Sequence, residues 1–245
     1  MSDRKKLAGS ALGIALLCAC TSVFPMGCMT ANITDRNMNE VHMYSGENDR
    51  QFYDTDSILV VANKKHALPA GYEPGDLVRP QVEMLNECFV RQIASAALEE
   101  MFAAAEAEGI HLILGSGYRA ESLQRELYDK YTKQYGCEVA DTISSRPGYS
   151  DHQTGLAVDI SDHDAKTYLT EEFENTPEGQ WLLQHAHEYG FILRYPRGKD
   201  AITGYVYEPW HYRYVGTDVA NAIYNEGSWL AMEEYCDVEG GTYAN

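Results

Sequence analysis

Ser150-Asp151-His152-Gln153-Thr154-Gly155-Leu156-Ala157-Val158-Asp159-Ile160 is the stretch on which the reading of the fold turns. Leu156 to Ile160 reads as a strand, with Leu156, Val158 and Ile160 on one face and Ala157 and Asp159, after Gly155, on the other. His152 and Asp159 are separated by an odd number of residues, so an unbroken strand would point them to opposite faces. They converge only if His152 lies in a loop and Gly155 breaks the extension. Small residues at 155 and 157 would then leave open space beside the Asp159 carboxylate. A carboxylate on a buried apolar strand is costly unless it is paired or bound to a metal. The spacing admits two readings: a metal-ligand pair, or Asp159 closing a turn with Ser161 and Asp162 at the strand end.

Toward the N-terminus, Ile110 to Leu114 is a buried strand that ends at Gly115-Ser116-Gly117, and Glu121 to Tyr135 is a helix closed by Gly136. Residues 80–108 read as a helix with Leu85, Phe89, Ile93, Ala97 and Met101 as its core stripe, stopped by Gly109. Ile58 to Ala62 is a β-branched run, hence a strand, feeding a segment rich in turn residues. Residues 137–153 read as loop. Toward the C-terminus, Pro177 opens a helix that Gly190 closes. Phe191 to Arg194, Tyr205 to Tyr207 and Tyr212 to Val215 are strand candidates; Thr217 can cap a helix over Asp218 to Glu226, and a short helix runs to Cys236. Strands and helices mix without a βαβ rhythm, which points to an α+β fold. The expected organisation is a leader over 1–30, a linker over 31–57 and one domain over 58–245.

The chain has 245 residues and 27.5 kDa, enough for a substantial core. Its net charge of −18 opposes binding to phosphate backbones, so no nucleic-acid partner is expected. An anionic substrate must be met by locally placed arginines. Arg4, Lys5 and Lys6 precede an apolar run to Cys20, the pattern of an export signal. Its fate is open among a cleaved signal, a lipoprotein leader with Cys20, or as a second candidate Cys28, lipidated, and a membrane anchor. Either way the protein is expected outside the cytoplasm, at the wall or membrane. Outside the leader, Cys88, Cys137 and Cys236 allow at most one internal disulfide, and the sequence does not choose the pair. Oligomeric state is not legible.

Glu208-Pro209-Trp210-His211 is a second unusual stretch. Pro209 keeps Glu208 out of the α region and fixes the φ that follows, giving the rigid backbone that a site needs. A carboxylate three residues before an imidazole can serve as acid/base beside a metal ligand, or can be a surface pair on a turn. Taken together the stretches fit one chemistry. Catalytic zinc keeps three protein ligands and one open position. His152, Asp159 and His211 supply such a set, and Glu208 is left over as a base. Arg119, in the loop after Gly117-Tyr118, can grip a carboxylate or pair with Glu121 or Glu126. A calcium site at Asp159, Asp162 and Asp164 lacks the glycine of an EF-hand loop. Arg194, Arg197 and Lys199 read as an anion-binding cluster or a solvated turn.

Ser150-x-His152-x-x-Gly155-x-Ala157-x-Asp159, with Glu208-Pro-Trp-His-Tyr-Arg-Tyr-Val-Gly216, resembles the VanY-type D-alanyl-D-alanine carboxypeptidases of the LAS zinc metallopeptidases. Ser116-Gly-Tyr-Arg119 with Gln124, and Val61-Ala-Asn-Lys64, fit the same family. The resemblance implies a small antiparallel sheet flanked by helices, with one catalytic zinc in a groove on the sheet. It implies His152, Asp159 and His211 as ligands, Glu208 as general base and Arg119 as the substrate and transition-state arginine. Gln124 and Ser150 would line the groove. The implied partner is a peptidoglycan stem peptide, cut at its terminal D-Ala-D-Ala bond. An L,D-carboxypeptidase or endopeptidase on the same substrate, or a non-catalytic wall-binding module, are the alternatives; the last has no need of Glu208.

Overall fold

The computed structural model describes residues 47–224 and 229–244. The expected leader, its lipidation or anchoring, and most of the expected linker lie outside those residues. β1 (Leu77–Val78) and β2 (Val90–Arg91) pair antiparallel and run directly into α1 (Gln92–Ala107). There follow β3 (Ile113–Ser116), α2 (Glu121–Tyr135), α3 (Cys137–Ile143), β4 (Ala157–Ser161) and α4 (Pro177–His185). β5 (Phe191–Leu193), α5 (Asp200–Thr203), β6 (His211–Tyr214), α6 (Thr217–Tyr224) and α7 (Met232–Cys236) complete the described chain. β3, β4, β6 and β5, in that order, form one antiparallel sheet. This is the expected α+β architecture. Among the described residues no helix is long and apolar enough to cross a membrane.

Strand alternation divides the sheet into an apolar and a polar face. Leu156, Val158 and Ile160 join Leu98, Met101 and Phe102 of α1, Leu182 of α4 and Ile223 of α6 in one buried cluster. Each such side chain contributes about 1.5–3 kcal/mol by leaving water. On the other face, Asp159 stands opposite both Ser116 of β3 and His211 of β6. The polar face therefore carries the candidate site as a row across three strands.

Several local expectations are corrected. The first helix begins only at Gln92, because Arg91 is extended at φ −60°, ψ 144°. Leu85, Phe89 and Ile93 are exposed, and the buried row is Ala94, Leu98, Met101, Phe102 and Ala105, which follows the 3.6-residue period. Residues 58–62 make no strand. Leu59 to Ala62 are buried, but the Ile58 and Val60 carbonyls accept from the Arg213 guanidinium at 3.0 and 2.7 Å in place of a ladder. The packed part also reaches back to Phe52. Residues 137–143 are helical, and Tyr205–Tyr207 are not a strand. Cys88, Cys137 and Cys236 are all free. Arg194, Arg197 and Lys199 form no anion site: Arg194 pairs with Glu233, Arg197 with Glu171 and Glu174, and Lys199 with Glu234. Asp162 is taken up by Ser161 and Thr167, whose hydroxyls and backbone N–H donate to its Oδ1, which leaves no calcium cluster with Asp159.

Candidate active site

His152 reaches the polar face from outside the sheet. Asp151–Thr154 is a single 3-10 turn, and Gly155 leaves it at φ +70° before β4 begins. That left-handed residue breaks the extension and reconciles the odd spacing with convergence. Gly155 does not open space beside Asp159, as the sequence suggested. A Cβ there would stand 3.0 Å from both Arg91 Cγ and Leu77 Cδ2, so the glycine admits the β1–β2 pair.

His152 and His211 present different nitrogens to Asp159. His152 Nδ1 lies 2.8 Å from the Gly117 carbonyl, which assigns that nitrogen the hydrogen and leaves Nε2 facing Asp159 Oδ2 at 3.3 Å. His211 Nδ1 faces Asp159 Oδ1 at 3.3 Å and Glu208 Oε2 at 3.4 Å. One donor atom from each of His152, Asp159 and His211 lies within 4.8 Å of the others, and all three residues are buried. A tetrahedral ion with bonds of about 2.1 Å spaces its ligands about 3.4 Å apart, so two imidazoles and a carboxylate at these separations fit a zinc-sized ion. Asp159 Oδ1 is buried without a hydrogen-bond partner, a costly condition that a cation removes. No other such group occurs among the described residues. His66, His111, His163 and His185 sit instead beside Asn63, Glu106, Glu178 and Glu188.

The charges here are strongly coupled. Burial opposes ionisation of Asp159, but the two imidazoles outweigh it and hold its carboxyl well below the usual range. Burial pushes His152 down. Burial also acts to lower His211, yet Asp151, Asp159 and Glu208 overcome it and hold that ring well above its ordinary value. Glu208 goes up, chiefly by burial. It sits in the tight turn that Pro209 imposes, where its N–H donates to the Tyr195 carbonyl and its own carbonyl accepts from His211 N–H.

Arg119 pairs with neither Glu121 nor Glu126. Its Nη1 donates to Gln124 Oε1 at 3.0 Å and its Nη2 to Ser116 Oγ at 3.3 Å, with Asp159 Oδ2 3.8 Å away. Gln124 is buried and donates to Ser144 Oγ and the Ser145 carbonyl. It does not line the groove, as the resemblance implied; it stands behind Arg119 and aims it. Ser150 does line the cavity, together with His152, Asp159, Glu208, His211 and Arg119. The cavity holds about 500 Å³ and is lined also by Tyr131, Val139, Ile143, Leu169 and Val206.

Sequence reasoning missed Asp151, Tyr168, Tyr195 and Arg213. Asp151 is fully buried against Arg213 and faces His211 Nε2 at 3.5 Å. A charge inside each motif, Asp151 before His152 and Arg213 after His211, was the available signal. Nothing in the local pattern marked Tyr168, whose ring lies against Gly115 in the cavity wall.

Comparison with known proteins adds independent findings. Residues 87–217 match the family model described as VanY, D-alanyl-D-alanine carboxypeptidase. A D-alanyl-D-alanine carboxypeptidase of Enterococcus faecalis is 36% identical over 190 residues, which is 74% of this chain and 66% of that protein. The solved LD-carboxypeptidase LdcB superposes with a TM-score of 0.70 at 43% identity, covering 76% of this chain and 89% of LdcB. A single-site variant of the vancomycin-resistance D,D-pentapeptidase VanY, solved with Zn(II), gives 0.61 at 35% identity over 72% of this chain and 97% of that one.

Proposed function

This chain belongs to the VanY family of D-alanyl-D-alanine carboxypeptidases, and from that premise we propose that it is a zinc-dependent carboxypeptidase of peptidoglycan stem peptides, removing the terminal D-alanine. The observation that carries the proposal is the meeting of three buried donor residues, His152, Asp159 and His211, with a fourth group, Glu208, beside them and Arg119 across from them. His152 Nε2, Asp159 and His211 Nδ1 would hold the zinc. Zinc in that position supplies Lewis acidity, polarising a carbonyl and making water acidic enough to attack near neutral pH.

Glu208 takes the proton from the attacking water and hands it to the leaving amine nitrogen. Burial suits it to both tasks, since a carboxyl held above its ordinary pKa is a better base and a usable acid. Arg119, aimed by Gln124 and Ser116, carries its guanidinium to the substrate's terminal carboxylate or the developing oxyanion. Ser150 borders the same groove. Export across the membrane, by the leader at 1–30, brings the enzyme to a wall substrate. No acyl-enzyme forms, so β-lactams are expected to leave turnover intact.

A second reading concerns the register of the cut. LdcB, named an LD-carboxypeptidase, is more similar to this chain than the VanY variant by both identity and TM-score. The zinc and base would serve an L,D cut equally well. The test is metal analysis together with mass spectrometry of muropeptides carrying five or four stem residues, with and without chelator. Loss of one D-alanine from pentapeptides supports the D,D reading, and conversion of tetrapeptides to tripeptides supports the L,D reading. A metal-free protein that still cuts either would end the zinc proposal.

A further inference from the structure

His211 has a second ring nitrogen that the metal reading does not use. Nε2 faces Asp151 Oδ2 at 3.5 Å, and Arg194 Nε faces the same oxygen at 3.7 Å. All three atoms are buried, and none has a hydrogen-bond partner elsewhere. A buried polar atom left unpaired costs about 1–3 kcal/mol, so three that converge act as one set: two donors and a single acceptor oxygen. Closing the set from 3.5 and 3.7 Å to ordinary hydrogen bonds takes shifts of about 0.5–0.8 Å. It requires the hydrogen of a neutral His211 to sit on Nε2, which leaves the Nδ1 lone pair facing Asp159 and Glu208.

Asp151 is itself held between two buried arginines. Arg213 Nη1 donates to its Oδ1, and Arg213 is anchored by the Ile58 and Val60 carbonyls. Arg194 is held by a two-pronged pair to Glu233, at 2.9 and 2.7 Å, and Glu233 also accepts from Asn63 Nδ2 at 3.0 Å. Glu233 lies on α7 and Asn63 follows the buried 59–62 segment, so both stand outside the part of the chain that the family model matches. Asp151, Arg194, Arg213 and Glu233 are almost completely buried.

We infer that Asp151 is a positioning residue for the metal site, holding the His211 ring so that Nδ1 is the ligating atom, and that the Arg213, Arg194 and Glu233 side chains hold Asp151 in place. The inference rests on the zinc reading above. A carboxylate behind a metal-bound imidazole fixes its tautomer and ring angle, and losing such a partner typically costs about 10–100-fold in metal affinity. A network serving the fold alone would leave the choice of ligating nitrogen and the affinity untouched.

The test uses the full chain with 15N-labelled histidine, loaded with cadmium-113. Cadmium–nitrogen coupling is expected to one δ1 nitrogen, from His211, and one ε2 nitrogen, from His152. Coupling to two ε2 nitrogens would overturn the inference, whereas no coupled histidine at all would count against the metal reading itself. Zinc affinity of Asp151→Asn, measured by competition with a chromophoric chelator, is expected to fall about 10–100-fold, with the δ1 coupling weakened or lost. A variant with wild-type circular dichroism and unchanged affinity refutes the inference. Where Asp151→Asn does not fold, because Arg213 loses its counter-charge, the affinity and coupling measurements are made on Asp151→Asn combined with Arg213→Gln, and wild-type affinity with wild-type δ1 coupling in that protein refutes the inference.

Discussion

Glu208→Gln separates the chemistry from the architecture. The two side chains share a shape, Glu208 is only 12% exposed, and its Oε2 faces His211 Nδ1 at 3.4 Å. Burial is the largest influence on its ionisation and works against the charge, with Asp159 adding to it. The folded state therefore carries that charge reluctantly, and the glutamine variant without metal is expected to melt at or above the wild-type temperature. On the proposed mechanism the reaction loses its proton carrier. General-base catalysis contributes about 10²–10⁴-fold, and each decade corresponds to about 1.36 kcal/mol. The transition state should thus lose about 3–5 kcal/mol of stabilisation while the protein keeps its fold. The assay is D-alanine release from a stem pentapeptide, run on protein whose zinc content and melting temperature are measured on the same batch. A folded, zinc-loaded Glu208→Gln protein with kcat within about threefold of wild type, against the 10²–10⁴ expected, would remove Glu208 from the reaction.

Three further outcomes are expected. In Gly115→Ala, the added Cβ would stand 2.6 Å from Tyr168 Cζ, so the ring must retreat by about 1 Å at a cost of about 1–3 kcal/mol; in a urea-melt double-mutant cycle with Tyr168→Ala most of that cost should vanish, and full additivity would mean that the ring does not rest on Gly115. Among the described cysteines, peptide mapping after brief maleimide treatment should find Cys137 labelled and Cys88 and Cys236 not, since only Cys137 is exposed and burial pushes the Cys236 thiol up to about 12; equal labelling of all three would contradict the packing around Cys236. Asp162 is buried against its own charge, but hydrogen bonds from Thr167 and Ser161 outweigh that and hold its carboxyl down at about 2. The stability it contributes is complete above its unfolded value and lost as pH falls through about 2, so the gap in stability between wild type and Asp162→Ala should narrow on acidification; a constant gap would mean the carboxylate plays no part.

Motif and periodicity made the site far more legible than its surroundings. Leu156 to Ile160 read correctly as a strand because alternation is a local property, and Gly136 and Gly190 marked helix ends because a left-handed or otherwise irregular turn is too. The 80–108 helix was misplaced because the chain before Gln92 is not helical, which takes Leu85 and Phe89 off any helix face, and because a spacing of four drifts off the 3.6-residue row, which leaves Ile93 on the exposed side. The 58–62 run has the composition of a strand, yet its Ile58 and Val60 carbonyls are satisfied by Arg213, more than 150 residues away in sequence. Gln124 was expected in the groove for the same reason: only the three-dimensional placement of the Ser145 carbonyl shows that its amide is turned away from substrate and toward Arg119. What sequence could not supply, in each case, was a partner distant along the chain.

Register joins the two networks that meet at the site. Asp159 pairs across the sheet with Ser116 and His211, while Ala157 pairs with Arg213. A slip of one residue in β4 would carry Asp159 to the apolar face and put Val158 or Ile160 among the imidazoles, so the metal donors exist in one register only. The same register puts Arg213 on the polar face, two residues beyond His211, where a buried guanidinium demands a carboxylate. Asp151 meets that demand, and Asp151 is the residue before His152. The ion pair 151–213 therefore stands directly behind the proposed ligand pair 152–211, built from the residues at 151, beside His152, and 213, two beyond His211. A sheet that satisfies the buried charges has already brought the two imidazoles to Asp159, so on the proposed reading the rigidity the metal site needs comes from groups that would not touch the metal.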